Sequence, residues 1–106
     1  MKEQIKIIFQ HFHGCPNGPK LLENLKQAIK GIEEKVNIVE QIIDTPELAM
    51  NYKFRGSPTI LINGEDIEGM SVPETPQLSC RFYPNGIPTT ESIQKRIKYL
   101  IDTEIK

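Results

Sequence analysis

Residues 12–20 read FHGCPNGPK, and what lies on either side of this stretch decides the fold. Before it, Ile5, Ile7 and Phe9 share one face of an extended chain, while Ile8 and Phe12 share the other. That is the pattern of a central strand buried on both sides. After it, Leu21, Leu22, Leu25, Ala28, Ile29 and Ile32 recur at helical spacing, with Glu23, Asn24, Lys26, Gln27 and Lys30 between them. That is an amphipathic helix. Cys15 therefore stands among Gly, Pro and Asn where a strand hands over to a helix.

Working outward, residues 36–43 are rich in β-branched side chains and predict a second strand. A helical crossover joins it to the first, which makes the two strands parallel and the unit right-handed by default. Asp44 or Thr45 caps a short helix, with Pro46 pre-set for its first position and Glu47 near its positive end; it is expected to end near Phe54. Residues 59–62 and 66–68 flank Asn63-Gly64, a dipeptide that tolerates the positive φ of a tight hairpin turn. Residues 69–88 hold four of the eight prolines, Pro73, Pro76, Pro84 and Pro88, together with Cys80. Long irregular loops of this kind are uncommon in compact domains unless they are functional or disordered. Thr89 or Thr90 then caps a last helix carrying Ile93, Ile97, Leu100 and Ile101 on one face. The order is β-α-β-α-β-β-α, an α/β three-layer sandwich whose four-stranded mixed sheet has helices on both faces.

A chain of 106 residues fits one domain, so residues 1–106 are expected to hold the whole site. With 13 basic and 14 acidic residues there is no strong field to draw nucleic acid or an anionic membrane. No apolar run approaches the roughly 20 residues of a membrane span, and the N-terminal MKEQIKIIFQHF lacks the continuous apolar segment of a signal peptide. A cytoplasmic monomer without a cofactor is expected. Two cysteines in a reducing compartment argue for a functional pairing, if they pair, over a structural one.

The element order, with GCP at 14–16 between the first strand and its helix and GSPT at 56–59 before the third strand, resembles the thioredoxin-like superfamily over the chain outside the long loop. More narrowly, FHGCP, FRGSPTILING and SCRFY resemble small bacterial thioredoxin- and glutaredoxin-like proteins. The resemblance implies thiol-disulfide chemistry at Cys15, with Pro58 cis and packed beside it. It also implies that the backbone of Ser57 pairs with an extended substrate, with Pro16 alongside. The partner would be a protein disulfide or a low-molecular-weight thiol. One part departs from the pattern: three residues after Cys15, where a dithiol enzyme has its second cysteine, stands Gly18.

If the helix begins at Pro16, Cys15 is its N-cap and meets free N–H groups and the positive end of the macrodipole, which favours the nucleophilic thiolate. If Asn17 is the cap, Pro19 sits comfortably in the first turn and Cys15 is displaced from the dipole. The plain alternative is an inert buried cysteine. Cys80 is either a distant resolving thiol or part of an apolar anchor with Leu78, Phe82 and Tyr83. His11 and His13 share a strand face; His13 can stabilise a thiolate, complete a soft-metal site with the two thiols, or simply be a surface residue. Arg55 and Arg81 suit a carboxylate but as isolated charges read as solvated, and Met70 and Phe54 read as core or loop anchors. Three functions follow: a Cys15–Cys80 redox protein, a monothiol protein working with glutathione, or a non-catalytic module holding a soft metal or a partner chain.

Overall fold

A computed structural model describes residues 4–104; residues 1–3, which begin the N-terminal stretch read above, and residues 105–106 lie outside it. β1 (Ile5–His11) runs parallel to β2 (Val36–Ile42) and antiparallel to β3 (Thr59–Ile62), which pairs in turn with β4 (Glu65–Asp66), giving the order β2-β1-β3-β4. The sheet is mixed, and β1 is internal as its two-sided apolarity requires.

Registers assign the faces. Ile7 lies level with Ile38 and Ile62, and Phe9 with Ile60, so these side chains point to one side. There they pack with Leu21, Leu25 and Ala28 of α1 (Asn17–Ala28) and with Ile93 and Ile97 of α3 (Thr90–Glu104), forming the main core. Phe12 falls on the opposite face and joins Ile43, Ala49, Phe54 and Leu78 under α2 (Pro46–Asn51). This second cluster is smaller. Since each buried large apolar side chain contributes about 1.5–3 kcal/mol, the α1/α3 face holds the fold and the α2 face is thinly covered.

Several boundaries differ from the sequence reading. α1 stops at Ala28, with Ile29 as its C-cap and Gly31 at φ +89°, although Ile29 and Ile32 still pack on the core. α2 ends at Asn51 because Lys53 turns left-handed and the Phe54 N–H bonds back to the Ala49 carbonyl at 2.9 Å. Its cap is Thr45, whose hydroxyl accepts the Leu48 N–H at 3.1 Å. β4 occupies Glu65–Asp66 in place of 66–68: the two-residue turn at Asn63-Gly64 pairs Ile62 with Glu65 directly. The Asp66 carboxylate then takes the N–H groups of Glu68 and Met70 at 2.9 and 3.0 Å, which ends the ladder. Thr89 caps α3 in a reciprocal exchange with Ser92. No helix among the described residues is long and apolar enough to cross a membrane.

Candidate active site

Cys15 lies between the end of β1 and α1, and the chain reaches it through Gly14 at φ +93°, a conformation that glycine adopts without strain. Neither proposed cap is the one found. Pro16 occupies the N-cap position with no side-chain cap bond, and Pro19 falls in the first turn, where its missing N–H costs nothing. The backbone N–H groups of Asn17 and Gly18 are thereby left to face the Cys15 sulfur. Pro16 itself is exposed.

The loop of residues 69–88 brings Cys80 to this point. Cys80 Sγ is 3.3 Å from Cys15 Sγ, both thiols are free, Cys15 is buried and Cys80 exposed. The segment around Cys80 is a strap laid along the chain that precedes β3. Ser57 donates its N–H to the Ser79 carbonyl and accepts the Arg81 N–H, each at 2.8 Å, so that Ser57 and Cys80 form an isolated parallel bridge. Both backbone groups of Ser57 are therefore engaged inside the chain, the carbonyl accepting the Cys15 thiol as well at 3.3 Å. The Ser57–Pro58 peptide is cis, and Pro58 is fully buried.

What fastens the strap is a pair of charges that the sequence reading placed in solvent. Arg81 is 7% exposed and Asp66 6%. The guanidinium meets the carboxylate in a two-pronged contact at 2.6 and 2.9 Å, adds a bond to Thr59 Oγ1, and lies 4.5 Å from the centre of the Tyr83 ring. Tyr83 donates its hydroxyl to the Pro58 carbonyl at 2.6 Å. Gly56 makes room for this packing: it sits at φ +102°, and a Cβ there would come within 2.9 Å of the Arg81 Cβ. The apolar anchor imagined from Leu78, Phe82 and Tyr83 is only partly found. Arg81 and Tyr83 turn inward, while Phe82 is 82% exposed. Phe54 is fully buried, whereas Met70 is exposed and contributes its carbonyl to the Arg55 Nε–H at 2.8 Å.

Electrostatics separate the two thiols. Burial pushes the Cys15 thiol up, but hydrogen bonds from Cys80, Ser57 and the Asn17 and Gly18 amides outweigh it and leave Cys15 below the ordinary cysteine value. Cys80 moves the other way, raised by its hydrogen bond to Cys15, by burial and by the charge on Cys15. Cys15 thus ionises first, with the remaining proton on Cys80 and directed at the Cys15 sulfur. Burial would also raise Asp66, but the hydrogen bond from Arg81 dominates and holds its carboxyl below the usual range.

The histidines are occupied elsewhere: His13 Nδ1 lies 3.1 Å from an Asp44 carboxylate oxygen, and His11 pairs with Glu40. Among the described residues no three His, Cys, Asp or Glu side chains gather as a metal site. The signal the sequence reading missed was the charge within CRFY: a residue flanked by aromatic anchors alternates inward with them, although its partner Asp66 lies 15 positions away.

Comparison with known proteins agrees with the fold. A family model described as a thioredoxin domain matches residues 3–80. No curated protein matches the sequence significantly. Among solved structures, chloroplastic thioredoxin z is similar, with a TM-score of 0.63 and 17% identity over 95% of this chain and 81% of that one. The family match ends at Cys80, so most of the strap and α3 lie within or beyond the last matched residues.

Proposed function

Since the chain belongs to the thioredoxin domain family, a family of thiol-redox proteins, we propose that it is a thiol-disulfide exchange protein whose working pair is Cys15 and Cys80. One observation carries the reading: two thiols 65 positions apart in sequence lie 3.3 Å apart in space, where Gly18 leaves no local partner. A disulfide has its sulfurs about 2.05 Å apart, so oxidation requires a small approach and no refolding. Cys15 is the nucleophile. Its thiolate forms the bond with Cys80, and each cycle passes two electrons: a dithiol is oxidised to the Cys15–Cys80 disulfide while an external disulfide is reduced to two thiols.

The external species is a protein disulfide or a low-molecular-weight thiol. A reducing compartment such as the cytoplasm suits a pair that must open as readily as it closes. Both sulfurs come from one chain, so the reaction calls for no second copy. A monothiol mechanism, or a module that holds a metal or a partner without reacting, would leave the placement of Cys80 without a role. The test is peptide mapping after mild oxidation in a glutathione buffer and alkylation of the remaining thiols. A cross-linked peptide pair containing Cys15 and Cys80 is expected, and its loss in Cys15→Ser. Recovery of both cysteines alkylated after oxidation would overturn the reading.

A further inference from the structure

The two sulfurs of the pair face different surroundings. Cys15 is 4% exposed, and its sulfur is enclosed by the Asn17 and Gly18 amides, Ser57 and Cys80. Cys80 is exposed and lines a groove of about 330 Å³ with Arg55, Gly56, Met70, Pro73 and Phe82, a groove to which Cys15 does not contribute. The edge along which the resemblance lays an extended substrate is already filled, because Ser79 and Arg81 take both backbone groups of Ser57.

The geometry points to Cys80 as the sulfur at which an external thiol or disulfide exchanges, the partner being a low-molecular-weight peptidic thiol in the groove, while Cys15 exchanges only with Cys80. This rests on the pairing proposed above and inverts the order that the resemblance implies, in which the cysteine at the helix start meets the substrate. Displacement at a disulfide runs in line, with the attacking sulfur opposite the leaving one. On the oxidised protein, an attack on Cys80 comes from the groove, opposite Cys15. An attack on Cys15 would have to come opposite Cys80, from the protein side.

The leaving groups agree with the geometry. Attack on Cys80 expels Cys15, whose thiolate is the better stabilised of the two. In the reductive direction, an external thiolate forms a bond to Cys80 Sγ, and the Cys15–Cys80 bond breaks with its electron pair passing to Cys15. A second external thiolate then attacks the external sulfur of the mixed disulfide, releasing the external disulfide and the Cys80 thiolate, which takes a proton from solvent. Oxidation is the reverse: Cys80 attacks the external disulfide and Cys15 closes on Cys80, expelling the second external thiolate.

The experiment uses the unmodified chain, oxidised to its internal disulfide, with reduced glutathione in limiting amount as the probe. The reaction is stopped with acid in its first moments, free thiols are alkylated, and the mixed disulfide is located by peptide mass. Glutathione on Cys80 with Cys15 alkylated is expected, in at least about a tenfold excess over the reverse. Glutathione found mainly on Cys15 would overturn this order and leave the pairing intact. Failure to obtain the internal disulfide at the start would overturn the pairing itself, and this order with it.

Discussion

Oxidation of the Cys15–Cys80 pair should stabilise the fold strongly, and the amount follows from the length of chain it closes. The two cysteines are 65 positions apart. Cross-linking a loop of that length removes unfolded-state entropy equivalent to about 4 kcal/mol at room temperature in the chain-entropy account. The full amount is expected to appear because the native side changes little: the strap is already docked through Ser57, Arg81 and Tyr83 when the thiols are reduced. Urea unfolding of oxidised and reduced protein, with the disulfide verified by mass, measures the difference. At slopes of about 1–3 kcal/mol per molar, the midpoints should separate by roughly 2 M. By linkage, the folded chain should hold its disulfide about a thousandfold more firmly than the unfolded chain. Cys80→Ala, which cannot form the bond, should unfold identically with and without reductant. A verified disulfide that raises stability by less than about 1 kcal/mol would refute the claim that the reduced strap is preset for closure.

Two further outcomes follow from the same residues. Asp66→Asn leaves the Arg81 guanidinium buried beside a neutral amide and should cost about 3–5 kcal/mol in the same unfolding assay. Because the folded carboxyl lies below its unfolded value, its contribution is fully present above about pH 4 and is lost as pH falls through the folded value; acid destabilisation of the wild type should therefore be weaker in Asp66→Asn. Cys80→Ala removes the thiol that donates to the Cys15 sulfur, so the pH profile of Cys15 alkylation should move upward. An unmoved profile would assign the lowered value to Ser57 and the helix amides alone.

The parts of this protein that were legible in the sequence are those set by local pattern. The alternation in residues 5–12 gave a central strand, the spacing of Leu21, Leu25 and Ala28 gave α1, and Asn63-Gly64 gave a hairpin. Element ends were less legible because side-chain bonds decided them. Asp66 ended β4 by capturing two amides, and the Lys53 conformation ended α2 short of Phe54. The cysteine positions marked the site, but their meeting depends on the strap, and the strap depends on a charge pair between a hairpin and a loop. Nothing in local periodicity brings Asp66 and Arg81 together. Read singly, Arg81 has the look of any surface arginine; its burial is explicable only once Asp66, Thr59 and Tyr83 are seen to surround it.

That dependence gives the pair a property a local dithiol lacks. When two cysteines lie three residues apart at a helix start, the helix itself holds them together. Here the second sulfur is held by tertiary contacts, so its effective concentration at Cys15 is set by the stability of the strap. A buried ion pair adds little net stability compared with apolar packing, yet breaking it is costly because one charge is stranded. The cost in Asp66→Asn falls unequally on the two redox forms. In the reduced chain, the strap is free to lift and return Arg81 to water; in the oxidised chain, the disulfide holds Arg81 over the vacated partner. The oxidised form therefore bears most of the penalty and the disulfide becomes easier to reduce. About 1.4 kcal/mol corresponds to roughly 30 mV for a two-electron couple, so losing even half of a 3 kcal/mol latch should raise the reduction potential by tens of millivolts. The latch at Asp66 and Arg81 thus acts on the chemistry without touching either sulfur, as a positioning device whose strength is read in the potential.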